Sequence, residues 1–140
     1  MIQQGQVYSF IEGLLTYLTS ATLKMALYTG DANMTLNTIT AYTTANEVVG
    51  TGYVAGGEIL TGVTVNQASN GTVYVNFNSP VWTSATFTCR GAMIYNSSDA
   101  NKAIALIDFG SDKVCVAKDF TVTMPANTYT NALIRIESNG

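Results

Sequence analysis

Asp108, Asp112 and Asp119 are the closest this sequence comes to a working set of carboxylates. Two carboxyl groups held near one another can share acid and base or nucleophile roles at a glycosidic bond. All three flank turn-like residues, where Asp commonly accepts hydrogen bonds from its own backbone, so a structural role is the simpler reading. The chain contains no histidine. That removes the commonest general base, the commonest metal ligand and every Ser–His or Cys–His nucleophile pair. Asp99, with Asn96 and Ser98, offers the oxygen ligands that calcium takes, but without the ordered acidic spacing and glycine of a calcium loop. It reads as a solvated hairpin tip.

Cys89 and Cys115 match no zinc or redox spacing and sit among apolar and small residues, so two buried free thiols are expected. The glycines of residues 50–57, GTGYVAGG, superficially suggest a phosphate cradle. Their spacing is wrong for one, and no Lys-Ser or Lys-Thr follows, so flexible turn or bulge chemistry accounts for them better. Tyr28, Tyr42, Tyr53, Tyr74, Tyr95 and Tyr129 could stack on sugars or nucleobases, although tyrosines are equally at home in half-buried strands. These residues therefore predict no catalytic group, no metal site and no cofactor.

The elements that would position these groups centre on residues 90–109, RGAMIYNSSDANKAIALIDF. Residues 90–95 and 102–109 read as the arms of a hairpin around the turn-rich 96–101. The runs Ala92-Met93-Ile94 and Ala103-Ile104-Ala105-Leu106-Ile107 lack strict alternation, which predicts strands covered on both faces. Val7, Phe10, Ile11, Leu14, Leu15 and Leu18 recur at helical spacing, predicting one amphipathic helix over residues 7–18. Leu23, Met25 and Leu27 alternate with Lys24, Ala26 and Tyr28, as in a strand with one buried face. A long loop is expected over residues 30–46, and a hairpin around Asn70-Gly71, flanked by Val63, Val65, Val73, Val75 and Phe77. Trp82 reads as a core anchor whose indole N–H needs a polar partner. Residues 110–113 read as another turn, residues 114–116 and 120–124 as short strands, and residues 132–136 as a last strand. The expected fold is mainly β: an antiparallel β-sandwich or jelly roll in one domain over residues 1–140. Its helical segment spans residues 1–21 and its β core residues 22–140.

Only 11% of the 140 residues are charged and 47% are hydrophobic, a balance that suggests surface buried against partners. The net charge of −3 and the scatter of Lys24, Arg90, Lys102, Lys113, Lys118 and Arg135 argue against nucleic-acid binding. The N-terminal apolar stretch is amphipathic and has no basic residue before Lys24, which is unlike a secretory leader or a membrane span and points to cytoplasmic synthesis. A homo-oligomer, trimer or dimer, is expected. The apolar helix and the central hairpin are its candidate interface, with Phe10, Ile11, Leu14, Met93 and Ile94 as the contributing residues.

Three stretches in order, FIEGLLTYLTSATLKMALYTG, AYTTANEVVGTGYVAGGEILTGVTV and VWTSATFTCRGAMIYNSSDANKAIALIDFG, resemble a family of small structural proteins of tailed bacteriophages. The likeness rests on the LK-x-AL strand at residues 23–27 and the G-x-GY-x-AGG-x-x-L-x-G segment at residues 50–62. It continues through Trp82 and the A-x-x-YN to A-x-x-x-x-DFG pair at residues 92–96 and 103–110. The resemblance implies a virion protein, in particular a capsid cement or decoration protein seated on the major capsid protein at the capsid surface. A tail or fibre component is the alternative within virions, and a carbohydrate-binding β-sandwich module the alternative outside them.

Overall fold

The computed structural model describes residues 13, 16–128 and 130–136. The protein is mainly β, with two antiparallel sheets, one in each of two compact units. The larger unit comprises Thr22–Leu60 and Ser79–Val122, and the smaller takes its described residues from Met1–Ala21, Thr61–Asn78 and Thr123–Gly140. The helix expected over residues 7–18 falls almost wholly outside the described residues. The first described element is a 3-10 turn over Tyr17–Ser20, with Leu18 buried.

The larger unit is built on two long strands, β5 (Val81–Asn96) and β6 (Lys102–Thr121), joined at the tip around residues 97–101. With β1 (Leu23–Tyr28) and β2 (Glu58–Ile59) they form a sheet in the order β2-β1-β5-β6. The central hairpin thus lies where the Asn, Ser and Asp residues of 96–101 place it. Asn96 Oδ1 accepts from the Ser98 amide at 3.0 Å and the Ser98 hydroxyl at 2.6 Å, which closes the tip with a side-chain turn. Lys102 and Asp99 pair across it at 3.4 Å.

Burial along β5 alternates from Trp82 to Arg90 and then becomes complete from Gly91 to Asn96, as its unbroken apolar run requires. The return arm differs from expectation. β6 is an edge strand, so residues 103–107 are only half-buried. β1 is also more deeply covered than its alternation predicts, because Ala26 and Tyr28 lie under the loop that follows. Ala32, Met34, Ile39 and Tyr42 from that loop pack on Ala26, Tyr28, Met93 and Tyr95. The loop over residues 30–46 therefore roofs the sheet.

The turn expected at residues 110–113 is instead a bulge within β6. The pairing steps from Cys89↔Lys113 to Gly91↔Asp108, so the residues between Asp108 and Lys113 face Arg90 alone. Gly110 supplies the left-handed conformation there, at φ 79°. A second bulge brings Thr83 and Ser84 against Asp119, and a third brings Val116 and Ala117 against Thr86. Bulges let one strand run the length that sequence reading divides into three, since each absorbs its extra residues without reversing the chain.

The smaller unit holds β3 (Thr64–Gln67), β4 (Val73–Asn76) and β7 (Ile134–Ile136), in the order β3-β4-β7. The hairpin at Asn70-Gly71 is present. Ala68 donates to the Thr72 carbonyl at 2.9 Å, and Gly71 takes φ 87°. Val73 and Val75 are buried on β4, paired with Ile136 and Ile134 of β7.

Candidate functional site

The three aspartates do not converge. Asp108 and Asp112 flank the β6 bulge and share Arg90, with Arg90 Nε 4.0 Å from Asp108 and Nη1 3.8 Å from Asp112. Arg90 also donates to the Gly110 carbonyl at 3.2 Å, and Asp108 accepts from the Gly110 amide at 2.8 Å. These contacts fold the bulge around the guanidinium. Asp119 lies at another bulge, where it accepts from the Ser84 amide at 3.0 Å and holds Ser84 at φ 48°. Asp108 and Asp119 thus each accept from a backbone amide, while Asp112 faces only the Arg90 guanidinium.

Arg90 and Asp108 form one rim of an open groove of about 550 Å3, floored by Tyr28, Gly91, Leu106 and Ile107 and walled by Thr29, Ala32, Met34, Thr35 and Leu36 of the roofing loop.

The best-built polar cluster lies elsewhere on the same unit, around Glu47. This carboxylate is buried, only 8% exposed. Its Oε2 accepts from the Tyr42 hydroxyl at 2.6 Å, and its Oε1 accepts from the Tyr53 hydroxyl at 2.6 Å and the Gly56 amide at 2.7 Å. Tyr53 oxygen in turn accepts from the Leu27 amide at 2.9 Å, which leaves its own proton for Glu47. Tyr95 donates to the Gly56 carbonyl at 2.7 Å and stacks on Tyr42 with ring centroids 4.6 Å apart. Tyr28 donates to the Thr43 carbonyl at 2.7 Å. Burial pushes the Tyr28 phenol up to about 12, with the negative charge of Glu47 adding to the effect. Tyr42, Tyr53 and Tyr95 are also raised, by burial first and then by Glu47.

The clasp fixes the long connection between β1 and β2 onto the strands of the unit. The glycines of residues 50–57 are what allow such a close approach. A Cβ on Gly57, at φ 81°, would stand 1.8 Å from the Met25 carbonyl oxygen, and one on Gly50 would stand 2.4 Å from that of Thr86. This segment is pressed against the backbone of β1 and β5, so the flexible turn expected there is a close-packed one. Tyr28 and Tyr95 are turned into the core and Tyr53 is held between Glu47 and Leu27, so none of these rings offers a free face for stacking a sugar. Tyr129 lies outside the described residues.

Of the candidate interface residues, Phe10, Ile11 and Leu14 lie outside the described residues. Met93 and Ile94 have no exposed surface. Neither side chain is open to a second copy, and Met93 packs with Ala26, Tyr28 and Tyr95. Cys89 and Cys115 are free and buried, as expected. Burial, with Cys115 nearby, raises the Cys89 thiol to about 12. Trp82 is buried against Tyr53 and Phe120, but its indole N–H has no hydrogen-bonding partner among the described residues, contrary to expectation.

Sequence reading missed Glu47 altogether. A lone acid between Asn46 and Val48 carries no motif, although one signal was present: a rare charge in an uncharged stretch flanked by Tyr42, Tyr53 and glycines. Comparison with family models, with curated proteins and with solved structures finds no match to this chain.

Proposed function

We propose that this chain is a non-enzymatic structural protein of a tailed-bacteriophage virion, a cement or decoration protein that binds the major capsid protein at the capsid surface. The observation that supports it is the exposed edge of β6. Past the bridge between Ala41 and Lys102, no strand among the described residues pairs with its outer side, and Val114 and Val116 are 64% and 63% exposed. Soluble chains blunt such edges with charge and bulges, and β6 carries both, yet Val114 and Val116 leave an exposed apolar pair among its charges. An edge of that kind suits strand addition to a neighbouring subunit. Contacts of about 1,200–2,000 Å2, repeated by capsid symmetry, would stiffen a shell without chemistry.

The proposal includes closure of the two sheets as a sandwich or jelly roll and self-association as a trimer or dimer. It assigns no catalytic residue and no cofactor. The carboxylates at the β6 bulges support that part, each being engaged with Arg90 or a backbone amide. The test is addition of purified protein to capsids made without it. A cement protein binds them to saturation and raises the temperature at which they rupture. Failure to bind capsids, or binding to isolated tails instead, would overturn the cement role.

A further inference from the structure

From the hydrogen bonding of the roofing loop we infer that residues 30–38 form a flap, hinged at Gly30 and Ile39, that opens as one body over the groove beside Arg90. Such a flap goes beyond the capsid reading and does not depend on it. The two halves of the loop are held in different ways. In the second half, Tyr42 donates its amide to the Asn101 carbonyl at 2.9 Å, and the Thr40 carbonyl accepts from the Ala103 amide at 3.0 Å. The Asn46 carbonyl accepts from the Thr29 amide at 3.0 Å and the Thr43 carbonyl from the Tyr28 hydroxyl at 2.7 Å, while the Tyr42 hydroxyl is committed to Glu47. Residues 40–46 are thereby stitched to β1, to β6 and to the clasp.

Residues 30–38 make no bond of that kind. Among the described residues their hydrogen bonds are all local. The Ala32 amide donates to the Thr29 carbonyl at 3.1 Å, and the Thr38 and Ile39 amides donate to the Thr35 carbonyl at 3.2 and 3.1 Å. The Thr35 hydroxyl meets the side chains of Asn37 and Thr38, so the tip of the segment is tied to itself and moves together. What holds the segment down is Ala32 and Met34, which alternate inward onto Ala26, Tyr28, Met93 and Tyr95 and are only partly buried. Leu36 beyond them is 84% exposed. Opening therefore uncovers two half-buried side chains and breaks no hydrogen bond to a strand, whereas lifting residues 40–46 would break all of those above. Ile39 packs on the same cluster and marks where the anchored half begins. At the other hinge, a Cβ on Gly30 would stand 3.3 Å from Asp112 Oδ1, so the missing side chain is what leaves the backbone room to turn beside the β6 bulge. Ala32, Met34, Thr35 and Leu36 wall the groove over Gly91, Leu106 and Ile107, and a raised flap would widen it and bare that floor.

The experiment is amide relaxation-dispersion NMR of the full chain, which reads opening on the microsecond-to-millisecond timescale. Residues 31–38 and the floor residues Leu106 and Ile107 should disperse with one shared rate, while residues 40–46 stay flat. Met34→Ser, which removes the larger of the two inward side chains, should raise the dispersion at Leu106 and Ile107 at least about threefold by populating the open state. Leu36→Ser removes apolar surface from the same flap, but from an exposed position, and should leave that dispersion as in the wild type. The wild-type profile and the Leu36 variant decide the matter if Met34→Ser does not fold. Flat profiles throughout, dispersion that runs on through residues 40–46, or separate rates along the segment would each overturn the inference. So would order parameters below about 0.6 over residues 31–38, which mark a loose strand rather than a two-state flap, or a Leu36 variant that behaves like the Met34 variant. Flap opening of this kind in a protein missing from virions would leave this inference standing and remove the capsid reading.

Discussion

Replacing Glu47 by Gln tests whether the buried clasp holds the connections onto the sheet. The carboxylate accepts three hydrogen bonds, from Tyr42, Tyr53 and Gly56. Hydrogen bonds to a charged group contribute about 1.5–3 kcal/mol each, and neutral ones about 0.5–1.5 kcal/mol. Losing the charge therefore costs roughly 1 kcal/mol per bond, or about 3 kcal/mol in all by that range. Relief of the desolvation penalty on a buried charge offsets about 1 kcal/mol of that. A net loss of about 2 kcal/mol is expected for Glu47→Gln. Glu47→Ala should lose about 4 kcal/mol, because it strands three buried donors at a cost of about 1–3 kcal/mol apiece. Urea unfolding followed by dichroism is the assay. With a slope of about 2 kcal/mol per molar urea, Glu47→Gln should lower the midpoint by about 1 M. A double-mutant cycle with Tyr53→Phe should show coupling above about 0.5 kcal/mol. If both Glu47 variants cost less than about 0.5 kcal/mol and the cycle shows no coupling, the clasp does not hold the unit together.

The raised phenols give the pH dependence its sign. Tyr28 moves from 10.0 up to about 12 on folding, so its stabilising contribution is complete below pH 10 and lost as pH rises from 10 to 12. Absorbance at 295 nm should show a group of tyrosines ionising together with alkaline unfolding; smooth titration of every tyrosine near pH 10 in the folded protein would contradict this. Gly57→Ala should cost at least about 3 kcal/mol through overlap with the Met25 carbonyl. Gly110→Ala, also at positive φ but in open space, should cost only about 1 kcal/mol, and equal losses in thermal melts would refute the close approach assigned to Gly57. Both thiols should react with Ellman's reagent only on unfolding, giving two per chain, because both are buried and free. Rapid reaction in the native state, or fewer than two thiols after denaturation, would place a cysteine wrongly.

Local signals made part of this fold legible. Asn70-Gly71 marks one hairpin and residues 96–101 the other, because turn chemistry resides in the residues that make the turn. The unbroken apolar run at residues 92–95 announces a strand buried on both faces. Residues 110–113 look like a turn for the same local reasons, yet the structure uses them as a bulge, because Arg90 across the sheet gathers Asp108, Gly110 and Asp112 around one guanidinium. That contact spans the hairpin and leaves no trace in a short window of sequence. The hydrophobic run of residues 103–107 shows a strand but not its place at an edge, since edge and centre are decided by which strands pair, not by composition. Glu47 was hidden for a related reason: its partners are named only once the connection between β1 and β2 folds back on itself and on β1. Among the candidate functional residues, the aspartates and cysteines were recognised and their structural reading stands in the geometry, whereas the clasp and the β6 edge emerged only with the pairing of strands.

The proposed place of this protein in a virion can be tested directly. The most direct measurement is mass spectrometry of tailed-phage particles purified from cells that express it, with electron cryomicroscopy of the same particles. The account predicts a β-rich density of this size on the capsid surface, repeated at junctions between major capsid subunits. Absence of the chain from purified particles, or density confined to the tail, would contradict it.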